Sequence, residues 1–109
     1  MEPPYTYSAT IVRVVDGDSA YAEVSLGFHL KLEISMRLEG INAPELNTAA
    51  GKLARDYLKS LIPAGTAVLI RTYKDPKDKY GRWLARIYRD KVDVNKEMLA
   101  AGHAVEYNP

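Results

Sequence analysis

The sequence predicts a mainly β protein with helices (α+β): an OB-type barrel of five strands, one helix between the third and fourth, and a short C-terminal helix. Three observations carry this reading. Apolar and polar residues alternate in three runs up to Ile41, a helical period replaces that alternation after Pro44, and two further alternating runs precede a second helical stretch.

The first runs are Tyr5 to Asp16, Ser19 to Leu26 and His29 to Ile41, rich in β-branched residues and joined by Asp16-Gly17-Asp18 and Leu26-Gly27-Phe28, so they read as a meander. Next, Ala50, Leu53, Ala54, Tyr57, Leu58 and Leu61 fall on one face of a helix that starts near Ala49 and is stopped by Pro63-Ala64-Gly65. That stripe reads as core cover rather than a membrane surface, with Lys52, Arg55 and Lys59 on the solvated side. Thr66 to Tyr73 and Arg82 to Asp90 supply two more strands. In the second of these, Trp83, Ala85 and Ile87 share one face, and Arg82, Leu84 and Arg86 the other. The last helix begins near Asp93 or Val94 and is expected to end at Gly102.

With 109 residues, 47% hydrophobic and 27% charged, the chain is long enough for one core, and residues 1–109 are read as a single domain. It has no cysteine, which removes disulfides, thiol nucleophiles and cysteine-held zinc. No apolar run has membrane-spanning length and "MEPPYTYSAT" has no leader-like pattern, so a cytoplasmic location without membrane contact is expected; a secreted chain trimmed of its leader would look the same. The net charge of +1 hides an asymmetry: residues 71–91 hold eight cations and three anions, which leaves −4 for the rest. Such a division suits a protein that holds a polyanion with one part and a cation with another. A lysine-rich solvated hairpin would give the same count.

The acidic candidates are Asp16, Asp18 and Glu45, with Asn42 as a neutral oxygen donor. Hard cations need several oxygen ligands, and carboxylates on neighbouring strand ends can supply them. The two aspartates of the turn are expected not to point the same way, so that only one is a direct ligand. Asp-Gly is also ordinary turn chemistry. Arg37 and Arg82 are the cationic candidates, because a guanidinium matches phosphate oxygens with paired donors. Arginines, a glutamate and metal ligands at one barrel end would describe a phosphodiester site. His29, placed in a strand, and His103, just past a helix, are the only histidines; they read as surface or capping residues and give zinc or a serine triad little to build on.

Four ordered stretches, "VVDGDSA", "MRLEGINAPE", "DKYGRWLARIY" and "VNKEMLAAGHA", resemble the staphylococcal nuclease (thermonuclease-like) family over roughly residues 8–107. The resemblance implies a calcium-dependent nuclease that cuts DNA and RNA with little sequence preference and leaves 3′-phosphate and 5′-hydroxyl ends. By position, Asp18 and Asn42 match the family's metal-ligand side chains, and Ala43 matches a residue whose carbonyl binds the metal. Arg37 and Arg82 match the arginines that grip the scissile phosphate, Glu45 the general base, and Lys79 and Tyr80 contacts to the neighbouring phosphate. Pro44 would fix the backbone that aims Glu45.

Three departures qualify the match. Asn42 stands where well-known members have aspartate, so weaker metal binding is expected. The connection from Glu45 to the helix is short. The sequence stops at Asn108-Pro109, so contacts from a further helix are not carried over. The alternative reading is an OB-fold nucleic-acid-binding module without useful turnover. It draws on Tyr5, Tyr7, Tyr21, Tyr73, Tyr80 and Tyr88, of which half or more read as ordinary strand or core residues. A protein-interaction domain with a fossil site is the third. The expected partner is single-stranded DNA or RNA, gripped by phosphate without base reading, and the expected state is a monomer.

Overall fold

The computed structural model describes residues 5–74 and 82–107. Its elements run β1 (Tyr5–Asp16), β2 (Ser19–Gly27), β3 (Leu30–Leu38), β4 (Ile41–Asn42), α1 (Ala49–Leu61), β5 (Ala67–Lys74), β6 (Trp83–Arg89), β7 (Val92–Asp93), α2 (Val94–Ala100) and β8 (Val105–Glu106). The main sheet has the order β3-β2-β1-β5-β6-β7. It closes into a five-stranded barrel because Met36 to Leu38 of β3 pair in parallel with Trp83 to Ala85 of β6. This is the expected OB-type architecture, with α1 between the third and fourth barrel strands.

Alternation places the core. Ala20, Ala22 and Val24 of β2 and Ala85 and Ile87 of β6 point inward beside Ile11, Met36, Leu38 and Ile70. Two register shifts in β1, between Ile11 and Arg13 and between Val14 and Asp16, mark bulges that bend the strand and deliver Asp16 to the barrel mouth. Helix α1 has the predicted limits: Thr48 is its N-cap, and its Oγ1 accepts from the Gly51 N–H at 3.0 Å. Its buried stripe is turned from the predicted one. Gly51, Ala54 and Leu58 face inward, whereas Ala50 is exposed and Leu53 is 61% exposed. The close approach of the chain at Gly51 rotates the helix, as the site geometry shows.

Four other expectations are corrected. The third strand does not continue to Ile41: it stops at Leu38, the chain turns through Glu39 and Gly40 (φ 80°), and β4 pairs instead with β8. The second hairpin turn is Phe28-His29, both left-handed (φ 55° and 62°), so His29 is not a strand residue. Asp90 and Lys91 make a second such turn into β7. Helix α2 ends at Ala100. Gly102 (φ 77°) is the left-handed residue beyond its cap, with Gly102 N–H donating to Leu99 O and His103 N–H to Met98 O.

Below the mouth, a polar knot holds β3, β6 and α2 together. Asn95 is fully buried; its Nδ2 donates to Glu39 O (2.8 Å) and Ala85 O (3.1 Å), and its Oδ1 accepts from Ile87 N–H (3.2 Å). Beside it, Arg86 reaches Glu39 at 2.7 Å and Asp93 at 2.8 Å. Burial alone would lower the Arg86 pKa, but the two carboxylates outweigh it and raise it.

Candidate functional site

The mouth is built where the β1–β2 turn, the end of β3, β4 and the start of β6 meet. Gly17 lies in that turn without a positive φ, so its role is space rather than conformational freedom. A Cβ there would sit 2.7 Å from both the Ala43 and Ala54 Cβ atoms. The turn is thereby wedged between β4 and α1, and Asp18 is fixed on both sides. Its Oδ2 accepts from Ala43 N–H at 3.0 Å, its Oδ1 accepts from Ser19 Oγ at 3.2 Å, and its carbonyl accepts from Leu38 N–H at 2.7 Å.

Asp16 does not point away from Asp18, contrary to the expectation for this turn. Gly17 and Asp18 form the turn itself, and across it the Asp16 Oδ1 accepts from the Asp18 N–H at 3.1 Å. Burial, and then the Asp18 carboxyl, push the Asp16 pKa up to about 6. A second carboxyl held this close adds to the cost of ionising Asp16.

Ser19 links the arginines. It is paired with Arg37 across β2 and β3, it is buried, and its Oγ accepts from Arg82 Nη1 at 3.4 Å. Arg37 Nη2 donates to Asn42 Oδ1 at 3.4 Å, and its guanidinium lies 4.9 Å from the centre of the Tyr107 ring. The Arg37 bond is at the long end of the range, so that guanidinium is lightly held. Among the described residues Arg37 has no carboxylate partner.

Glu45 is exposed on the segment between β4 and α1. Its carbonyl accepts from Thr48 Oγ1 at 2.6 Å and Thr48 N–H at 3.0 Å, and a Cβ on Gly51 would collide with that same carbonyl. Helix α1 therefore grips the backbone of Glu45 directly, which explains the rotated stripe. Arg37, Asn42, Ala43, Asp18, Arg82 and Glu45 thus come to one end of the barrel; Lys79 and Tyr80 lie outside the described residues. The sequence reading missed Ser19, Gly51 and Tyr107. A Thr48 cap followed by glycine was a local signal for the second. Nothing local signals the others, whose partners are brought together by the barrel.

Whether these residues suit a cation is a question of donors. Among the described residues no three His, Cys, Asp or Glu side chains cluster. What the mouth offers is two facing carboxylates and, on β4 beside them, the amide of Asn42. The raised Asp16 pKa is the imbalance that a divalent ion would relieve, so the set suits a hard cation whose remaining ligands come from water or substrate oxygens.

An OB-type barrel whose mouth joins paired aspartates to two arginines is the class defined by fold and geometry. The profile of the family described as "Staphylococcal nuclease homologue" matches residues 35–109, and the chain belongs to that family. It is 36% identical over 98 residues to an "Uncharacterized endonuclease" of Escherichia coli O157:H7, a match covering 89% of this chain and 59% of that protein. It is 31% identical to "Endonuclease YhcR" of Bacillus subtilis (strain 168), over 93% of this chain and 9% of the relative. A "Probable staphylococcal-like nuclease CAN2" of Oryza sativa subsp. japonica is 39% identical over 63% of this chain and 18% of its own length. The chain spans little more than half of the E. coli protein and a small part of the other two.

Proposed function

We propose that this chain is a nuclease domain: a calcium-dependent phosphodiesterase acting on DNA and RNA, with single strands preferred. The convergence of Arg37 and Arg82 with Asp18 and Asn42, beside an exposed Glu45, carries the proposal. Asp18, the Asn42 amide and the Ala43 carbonyl would hold the ion, with Asp16 close by. When bound, the ion supplies positive charge that polarises a phosphate oxygen.

The chain's own groups do the rest. Arg37 and Arg82 bind the non-bridging oxygens and meet the charge that grows as phosphorus becomes five-coordinate. The light tether of Arg37 to Asn42 is readily exchanged for phosphate. Glu45 takes a proton from water, whose oxygen bonds to phosphorus while the P–O5′ bond breaks and the departing O5′ takes a proton from solvent. The products are a 3′-phosphate and a 5′-hydroxyl. Lys79 and Tyr80 would contact the adjacent phosphate. All of these groups belong to one chain, so a monomer suffices for the chemistry. Because they address phosphate rather than bases, little sequence preference follows.

One observation favours a second reading, a binding module without turnover: Asn42 brings an amide, already bonded to Arg37, where a charged ligand would strengthen the ion site. Hydrolysis of an end-labelled single-stranded DNA separates the two. Calcium-dependent cleavage to 3′-phosphate ends, abolished by EDTA and by Glu45→Gln, supports the nuclease. Strand binding with no cleavage at any calcium concentration selects the module.

A further inference from the structure

The β2–β3 hairpin overhangs the barrel. Strand β3 is paired with β6 only from Met36 to Leu38, and among the described residues no strand pairs with its outer edge from Leu30 to Ser35. The overhang is apolar: Phe28 is 95%, Leu30 60% and Leu32 53% exposed. Proteins usually protect such an edge with lysine, a bulge or a covering segment. Here the edge holds one lysine, Lys31, and its effect is offset two residues later by Glu33.

We infer that the outer edge of β3 is a self-pairing surface, through which a second copy of this chain adds antiparallel across a two-fold axis at Leu32. The sequence "LKLEI" is complementary to itself in that register. Leu32 meets Leu32, Leu30 meets Ile34, and Lys31 of each copy lies opposite Glu33 of the other. Within one chain Glu33 is in register with Glu23 on β2, a like-charge pair, and among the described residues Lys31 reaches Glu23, at 3.5 Å, and no other carboxylate. The second copy brings a lysine to each unbalanced Glu33. An antiparallel strand shifted by one residue would set lysine against leucine or isoleucine, and an in-register parallel strand would set lysine against lysine, so charge favours this register over those.

The ladder runs from Leu30 to Ile34, because His29 belongs to the left-handed turn and β6 occupies the edge from Met36 onward. Just beyond its limits the turn of one copy abuts the start of β6 in the other, where the Trp83 indole is 38% exposed. The hairpin tip of each copy then borders the strand that leads from Arg82, at the rim of the mouth. The chemistry proposed above does not depend on this pairing.

Sedimentation velocity of the full chain over a wide concentration range tests the inference, with thermal melts to verify the folding of each variant. The parent is expected to show a monomer–dimer equilibrium. Lys31→Glu and Glu33→Lys each turn two attractive pairs into two repulsive ones, and each is expected to weaken the dimer roughly tenfold or more. An equimolar mixture of the two variants, and the double variant K31E/E33K, should regain parent-like association, since both restore opposite charges in this register. A parent that stays monomeric, a dimer indifferent to both reversals, or reversals that are not rescued by mixing would each overturn the proposal.

Discussion

The two polar clusters of this barrel, a few residues apart on β3 and β6, are finished to different degrees. Around Asn95 and Arg86 every group has a short, well-directed partner: three hydrogen bonds for the amide, and contacts of 2.7 and 2.8 Å from the guanidinium to two carboxylates. At the mouth the balance is left open. Asp16 faces Asp18, Arg37 has an amide at 3.4 Å and a ring face, and Glu45 stands in solvent. Buried polar groups are normally satisfied, so a protein that finishes one cluster and not the other marks the second for groups from outside.

If that contrast is right, the clusters should respond oppositely to loss. Arg37→Ala is expected to lower strand cleavage by about 10²–10³-fold while leaving the melting temperature nearly unchanged, because the charge stabilises a transition state rather than the fold. An equal fall in stability and activity would erase the distinction. Asn95→Ala should do the reverse: it leaves Ile87 N–H and Glu39 O without the amide, while Ala85 O keeps Glu39 N–H, and should cost about 2–4 kcal/mol in urea unfolding. Any fall in cleavage should follow only the fraction unfolded.

Gly51→Ala sits between these cases. The added methyl must displace the Glu45 backbone, so about 10²-fold in activity should be lost for a stability cost of about 1–3 kcal/mol. Unchanged cleavage would mean that the position of Glu45 is not set by α1. Asn42→Asp should reduce the calcium concentration for half-maximal activity by about tenfold; an unchanged or higher requirement would count against Asn42 as a ligand position.

The smallest effect concerns Asp16. Its folded pKa of about 6 lies above the ordinary 3.8, so the fold favours the protonated acid. That contribution is fully present below about pH 4 and is lost as pH rises through 6. In EDTA, Asp16→Asn should therefore melt above the parent at pH 7, and the gap should close as pH falls towards 4. A gap independent of pH would show that the cost of ionising Asp16, buried and beside Asp18, is not the cause.

Much of the barrel was legible because it rests on local period. The limits of β1 and α1, the start of α2 and the Asp-Gly-Asp turn follow from alternation, helical period, flanking prolines and turn residues. The face of α1 was misjudged because hydrophobicity ranks Leu53 above Gly51, whereas packing against Glu45 favours the residue with no side chain. The end of β3 and the existence of β8 depend on each other across the chain, and neither is written in its own neighbourhood. Of the site, the charged residues could be named from sequence. The links that orient them could not, because Asp18 meets Ala43 and Arg82 meets Ser19 only after the barrel has closed.

The pairing of β4 with β8 has a consequence for biosynthesis. Asn42 is opposite Val105, Tyr107 N–H donates to Gly40 O at 2.9 Å, and the Tyr107 ring lies against Arg37. The wall that carries Arg37 and Asn42 is made before the residues that lace it shut. Until Tyr107 has cleared the ribosome, the nascent chain can hold a barrel but not a finished mouth.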